Sequence, residues 1–164
     1  MKILDASTII AVFHEINCPE LIDKIILLGH DLAIPSHVMN SELLDKSTLK
    51  ITNGFIQQDK IQILNQNTIE EIREFRKDFP GLGLGECDSM LSYQKISKGK
   101  DKVYCIFDDA KARSKASELN IEFTGLIGLL KLMKARNIMD FNEIEDVVVM
   151  LKKSNFRFPA GVVI

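Results

Sequence analysis

Short apolar runs alternate with longer stretches of helical periodicity along most of the chain. The runs are too short to be helices, and several end in proline or in an acidic residue, which favours strands. Five strands are predicted on this pattern, at residues Lys2–Asp5, Asp31–Pro35, Lys60–Leu64, Val103–Phe107 and Ile121–Phe123. The intervals between them are each long enough to hold at least one short helix.

Helical spacing of apolar side chains fills most of these intervals. Thr68 and Glu71 have the spacing of a capping box, which fixes the start of one helix. Residues 47–60 contain the turn signal Asn53-Gly54 and are predicted to be a surface loop or a frayed helix. The other predicted helices lie at residues 9–13, 19–29, 36–44, 68–79, 86–99, 110–119 and 126–135, with a last one from Asp140 or Asn142 to Leu151.

Strands that alternate with helices predict an α/β domain. We expect a three-layer α/β/α arrangement around a mostly parallel five-stranded sheet. Residues 1–164 are predicted to form one domain, in which residues 140–164 are a C-terminal helix and an apolar tail that docks on the domain or on a second copy. Right-handed crossovers bring the carboxyl ends of the strands to one edge, where such sheets bind ligands.

Composition limits the possible classes of protein. Of the 164 residues 46% are hydrophobic and 27% charged, which suits a domain with a sizeable core. No apolar run approaches the roughly 20 residues of a membrane span, and the start lacks the pattern of a signal peptide. We therefore expect a cytoplasmic protein whose three cysteines, Cys18, Cys87 and Cys105, are reduced thiols. The three histidines share no ligand spacing, which argues against zinc and favours surface or capping positions: His14, His30 and His37.

The net charge of −2 conceals an uneven distribution. Residues 1–92 carry 8 basic and 14 acidic side chains, whereas residues 93–136 carry 10 basic and 5 acidic ones. A basic segment in an acidic protein can form a nucleic-acid contact surface. It can equally be the solvated faces of two or three helices.

Residues 81–90, with the sequence GLGLGECDSM, are predicted to be a glycine loop that runs into a helix. Glu86 and Asp88 then lie in the first helical turn, where acidic side chains suit the helix dipole. Other acids follow predicted strands: Asp5 after the first, Glu42 after the second, and Asp108-Asp109 after the fourth.

Four carboxylates brought to one edge of a sheet repel one another unless a cation joins them. Oxygen ligands without histidine or cysteine indicate Mg²⁺ or Mn²⁺, and such a site can activate water for attack on a phosphodiester. The competing interpretation is a set of helix caps and surface charges. Phosphate-binding loops, dinucleotide-binding glycine patterns and the Gly-x-Ser-x-Gly elbow are all missing from the sequence.

Taken together, these motifs resemble a PIN-domain nuclease, of the prokaryotic branch that has a Gly-Glu-x-Glu/Asp pattern. The matches occur in order over nearly the whole chain: the strand with Asp5 and Ser7, the segment from Ile34 to Glu42, the segment from Gly83 to Ser89, and the turns at residues 107–113 and 123–130. Asp88 falls at the place of the family's third acid, and Glu86 is an additional acid nearby.

The resemblance implies a Mg²⁺- or Mn²⁺-dependent endoribonuclease, usually a homodimer. Many relatives are VapC-like toxins that an antitoxin protein holds inactive. On this basis Asp5, Glu42, Asp88 and Asp109 are the expected catalytic acids. Asp5, Asp88 and Asp109 are then metal ligands, and Glu86 and Asp108 tune the charge or hold a second ion.

Three choices remain open on the sequence. Either Asp108 or Asp109 can be the fourth acid; we favour Asp109, with Asp108 as its helper. The substrate can be RNA or DNA, and the scaffold can also be a non-catalytic module that binds RNA or a protein. We expect five residues to orient ligands or to guide the nucleic-acid backbone: Ser7, Thr124, Lys111, Arg113 and Lys115.

Overall fold

The computed structural model describes residues 1–29, 31–99 and 102–158. Five strands are present in this part of the chain: β1 Lys2–Leu4, β2 Leu32–Pro35, β3 Ile61–Leu64, β4 Tyr104–Ile106 and β5 Phe123–Thr124. Eight α-helices accompany them: α1 Ala6–Ile10, α2 Glu20–Ile26, α3 Lys46–Gln57, α4 Ile69–Asp78, α5 Leu84–Ile96, α6 Ala110–Glu118, α7 Leu126–Ala135 and α8 Phe141–Lys153. Helix α1 continues into a π-helical turn at Ala11–Glu15, a second π-helical turn covers Val38–Glu42, and α5 ends in a 3₁₀ turn at Ser97–Gly99.

All five strands are parallel and lie in the order β3-β2-β1-β4-β5. Strand β1 is central: its Lys2 is paired with Leu32 on one side and with Tyr104 on the other. The chain first builds the sheet outward from β1 to β3, and then returns to the other side of β1 for β4. This reversal makes the crevice between β1 and β4 the topological switch point, where open α/β sheets bind ligands.

Each face of the sheet has its own hydrophobic core, because side chains of a strand alternate between the two faces. Leu4 and Ile34 face a core that is shared with α1, α2, α7 and α8. Ile3 and Phe107 face the opposite core, which is shared with α4, α5 and α6. The predicted three-layer α/β/α fold with a parallel five-stranded sheet is therefore confirmed.

Several boundaries differ from the prediction. Residues 46–57 form helix α3, which decides between the loop and the frayed helix predicted over 47–60; the Asp45 side chain caps it by accepting a 2.7 Å hydrogen bond from Thr48 N. The helix predicted over 36–44 ends at Glu42, which leaves Leu44 77% exposed. Strand β5 begins at Phe123 instead of Ile121.

The ends of the chain agree in part with expectation. Asp140 is the cap of α8, and the Thr68–Glu71 capping box of α4 is present. Phe156 and Phe158 of the tail pack against the core on the side of α8. His30 and residues 159–164, the rest of the predicted tail, lie outside the described residues. No helix in the described part is long and apolar enough to cross a membrane.

Candidate acidic active site

Asp5 follows β1 directly and lies at the switch point of the sheet. Its side chain is only 4% exposed, and Oδ2 accepts a 2.9 Å hydrogen bond from Ser7 Oγ. The other oxygen, Oδ1, is buried with no hydrogen-bond partner. Burial is the main cause that raises the pKa of Asp5 to about 7; the Ser7 hydrogen bond opposes this rise, and the charges of Glu86 and Glu42 add to it.

Glu42 and Glu86 lie close enough to Asp5 for their charges to raise its pKa, and the glycine loop contacts both carboxylates. Glu42 Oε1 accepts a 2.8 Å hydrogen bond from the backbone N–H of Gly85. A Cβ at Gly85 would collide with the Glu42 carboxylate, so a side chain at this position would displace it. Glu86 Oε2 accepts a 2.7 Å hydrogen bond from Gly83 N, and this hydrogen bond caps the start of α5. Helix α5 consequently begins at Leu84, two residues earlier than predicted.

Asp109 joins this group from the far side of β4. It caps α6 through Oδ1, which accepts hydrogen bonds from Lys111 N at 2.7 Å and Ala112 N at 3.1 Å. Burial is the main cause that raises the pKa of Glu86, with the charges of Asp109 and Glu42 contributing. Glu42 and Glu86 thus act on the charge of Asp5, and Asp109 and Glu42 act on that of Glu86. We call these four residues the acidic cluster.

Asp108 has both oxygens occupied inside the fold. Oδ2 accepts a 2.9 Å hydrogen bond from Thr8 Oγ1, and Oδ1 accepts one of 2.9 Å from Leu126 N. A Cβ at Gly125 would lie 2.6 Å from Oδ1, so the backbone packs closely over this carboxylate. Asp108 therefore links the end of β4 to α1 and α7.

Asp88, the expected third acid, is fully buried in a separate hydrogen-bond network. Oδ2 accepts a 3.0 Å hydrogen bond from His37 N, while Oδ1 accepts bonds from Asn67 Nδ2 at 2.6 Å and Ser92 Oγ at 3.4 Å. This network connects the segment that leads to Glu42 with the helix that carries Glu86. The structure therefore places Asp88 behind the acidic cluster as a connector, and its role as a metal ligand stays a prediction.

The five predicted ligand-orienting and backbone-guiding residues are divided among three environments. Ser7 contacts Asp5, and the charge of Lys111 lowers the pKa of Glu86, which places both beside the acidic cluster. Arg113 acts on Asp108, whose pKa its charge lowers against the dominant effect of burial. The remaining two are engaged elsewhere: Lys115 forms a 2.6 Å ion pair with Glu118, and Thr124 Oγ1 packs against Gly128 of α7.

Asn67 and Thr8 hold the two buried aspartates, and the sequence analysis missed both roles. Asn67 stands next to Thr68, the residue that caps α4. Thr8 lies in α1, directly after Ser7. Each contacts an acid that is distant in sequence, a relation that local patterns do not reveal.

A divalent cation fits the chemistry of the acidic cluster. As the side chains lie, no group of three or more His, Cys, Asp or Glu residues in the described ranges is close enough to hold a metal ion. The donors around the crevice are nonetheless all carboxylate oxygens, and Asp5 Oδ1 is buried without a partner. Hard cations such as Mg²⁺ and Mn²⁺ prefer such oxygens, and one would relieve the mutual repulsion that raises the pKa values.

Comparison with known families identifies the family of the chain as a whole. The family model DUF3368, described as a PIN domain, matches residues 1–163. No curated protein matches the chain.

Proposed function

This chain belongs to the PIN-domain family, whose fold is of the nuclease type, and we propose that it is a divalent-metal-dependent endoribonuclease. The acidic cluster is the proposed site of phosphodiester hydrolysis. PIN domains generally use divalent metals, which agrees with the all-oxygen donors at this edge of the sheet. The choice of RNA as substrate rests on the family resemblance of the motifs.

One observation carries the proposal: Asp5 is buried at the switch point with one carboxylate oxygen unpartnered. A buried acceptor without a donor typically costs about 1–3 kcal/mol, more when it is charged. Two further acids, Glu42 and Glu86, raise its pKa instead of satisfying it. An arrangement that destabilises the fold at a ligand-binding crevice is expected of a functional site.

We assign the acidic cluster to hold the cation, with Asp5 and Glu86 as central ligands and Glu42 and Asp109 completing the set. A bound divalent cation would neutralise charge on the phosphate and promote ionisation of the attacking water. Ser7 fixes the orientation of the Asp5 carboxylate, and the Gly85 N–H fixes that of Glu42. These contacts keep the ligand oxygens in place before the substrate arrives.

The two buried aspartates have a positioning role in this proposal. Asp88 connects His37, at the start of the turn that carries Glu42, to α5, which carries Glu86. Asp108 connects β4 to α7 and so supports the neighbouring Asp109. Glu86→Gln should therefore abolish metal binding with little loss of stability, because the amide oxygen of glutamine can still accept the capping hydrogen bond from Gly83 N. Asp88→Asn should lower stability as well, because its buried donors lose a charged partner.

An RNA cleavage assay tests the proposal. We expect cleavage of a structured RNA by the wild type in Mn²⁺, and its loss in Glu42→Gln. Glu145→Gln is a matched control, because Glu145 is an exposed side chain of α8 away from the crevice. RNA binding without cleavage at any Mn²⁺ concentration would overturn the proposal in favour of a non-catalytic PIN-like module.

Three wider expectations stay predictions: an antitoxin partner, a homodimer and a cytoplasmic location. The same applies to a VapC-like toxin activity. Each can be addressed once the cleavage assay has identified an activity that a partner protein could inhibit.

A further inference from the structure

A cavity of about 240 Å³ opens beside the acidic cluster. Ser7 and Asp109 form the wall that is shared with the cluster, and Ile10 contributes an apolar surface. The opposite wall is the segment that follows α8, with Phe156 and Arg157. This volume is smaller than the pockets that take drug-sized ligands and is suited to a single nucleobase.

Four charged residues line this cavity, Asp108, Asp109, Glu15 and Arg157, and the last two form no ion pair with each other. Glu15 Oε2 is buried with no hydrogen-bond partner. Arg157 is exposed and forms no hydrogen bond or ion pair within the described part of the chain. Because buried acceptors are normally hydrogen-bonded, the Glu15 oxygen indicates a missing N–H or O–H donor. A ligand that lies between the two residues could contact both.

The wall that carries Arg157 is held in a defined position. Ser154 Oγ donates a 2.8 Å hydrogen bond to Leu151 O at the end of α8, and Phe156 N donates one of 3.0 Å to the same hydroxyl. The rings of Phe156 and Phe158 meet edge to face at 5.2 Å, and both pack against the core. The half-buried ring of Phe156 therefore stands as a fixed surface on which a planar base can stack.

We propose that this cavity binds the base of the nucleotide next to the cleaved phosphodiester and selects guanine through Glu15, with Arg157 on the backbone phosphate. This inference rests on the proposed function, since it names the substrate preference of the same site. The acidic cluster borders the cavity at Asp109, so a base inside it belongs to a nucleotide at the reaction centre.

The chemistry of the two charges explains the choice of guanine. A carboxylate only accepts hydrogen bonds, and guanine presents two adjacent donors, N1–H and the N2 amino group, that can meet its two oxygens. Adenine and cytosine each present one amino group. Uracil presents a single N–H between two carbonyl oxygens, which a carboxylate repels. Arg157, as a cation on an exposed segment, suits a phosphate and does not distinguish bases.

The test measures the binding of labelled oligouridylate, with and without a single guanosine, to the Asp5→Asn variant, in which cleavage should be abolished. We expect the guanosine to tighten binding on the order of tenfold. Glu15→Gln in the same background should remove most of this preference, while the exposed control Glu145→Gln should retain it. Arg157→Gln should weaken both oligomers alike and reduce the salt dependence of binding by about one charge.

Equal binding of the two oligomers, or no measurable binding of either, would overturn the base pocket. Equal binding would leave the nuclease proposal intact, because cleavage by the wild type is scored separately in Mn²⁺. A preference for guanosine that survives Glu15→Gln would also refute the assignment. Conversely, preferential binding without cleavage by the wild type would support the pocket and remove the proposed activity.

Discussion

Replacing Asp5 by asparagine should stabilise the metal-free protein at high pH. Burial, together with the charges of Glu86 and Glu42, raises the pKa of Asp5 from 3.8 to about 7. A group whose pKa is higher in the folded state binds its proton more tightly there. The free energy of unfolding therefore falls as pH rises from the group's unfolded-state pKa to its folded-state pKa. The neutral amide of the Asp5→Asn variant has no such titration, and it can still accept the hydrogen bond from Ser7.

The size of this destabilisation follows from the shift in the pKa of Asp5. Each pKa unit corresponds to about 1.4 kcal/mol, so the charged Asp5 costs the fold about 4 kcal/mol above pH 7. Of this, about 3 kcal/mol develops between about pH 5 and about pH 8, because over most of that window Asp5 has lost its proton in the unfolded chain but still holds it in the folded state. The wild type should therefore lose about 3 kcal/mol relative to the Asp5→Asn variant across the same range.

Urea unfolding in a chelating buffer at both pH values measures this difference. Comparing two proteins at each pH cancels the titration of the groups that they share. Asp146→Asn provides a control, because Asp146 is an exposed side chain on α8 and should show no such pH dependence. A constant difference between wild type and Asp5→Asn from pH 5 to pH 8 would refute the strained, buried carboxylate on which the site rests.

Further predictions concern the neighbours of Asp5. Gly85→Ala should reduce Mn²⁺ affinity and cleavage with little loss of helix content by circular dichroism, because its Cβ displaces Glu42; Gly81→Ala, which has open space around it, should leave both intact. Asp109→Asn should weaken Mn²⁺ binding measured by calorimetry yet keep the cap of α6, since asparagine caps helices well. Asp108→Asn should instead lower the free energy of unfolding, measured in urea, by about 1–3 kcal/mol. The NH2 group of the asparagine would replace one acceptor oxygen and face the backbone or hydroxyl donor that now bonds to it. Equal loss of stability in the two aspartate variants would contradict this division.

The sequence predicted the fold well because its signals were local and redundant. Apolar runs marked the strands, several of them ending in an acid or a proline, and the Thr68–Glu71 spacing marked a helix start. Helix α3 was ambiguous because Asn53-Gly54 is a turn signal in isolation. Its cap at Asp45 and its packing against the core decide the conformation in the fold.

The candidate site was predictable only as far as chain order sets it. Asp5 and Asp109 could be placed because Asp5 directly follows β1, Asp109 comes three residues after the end of β4, and parallel strands end at one edge. Glu86 and Asp88 could not be ranked, since a helix turns about 100° per residue and the sequence does not state which side faces the crevice. The backbone N–H of His37 and the side-chain amide of Asn67 each donate a hydrogen bond to the Asp88 carboxylate. Both contacts join segments that are distant in sequence.

Mn²⁺ titration by calorimetry tests the central claim most directly, on the wild type, on Asp5→Asn and on the exposed control Asp146→Asn, with RNA cleavage measured on the same samples. We expect binding by the wild type and the control, no binding by Asp5→Asn, and cleavage that follows the bound fraction. Undiminished Mn²⁺ binding and cleavage in Asp5→Asn would contradict the account, because the buried carboxylate at the switch point would then have no part in the chemistry.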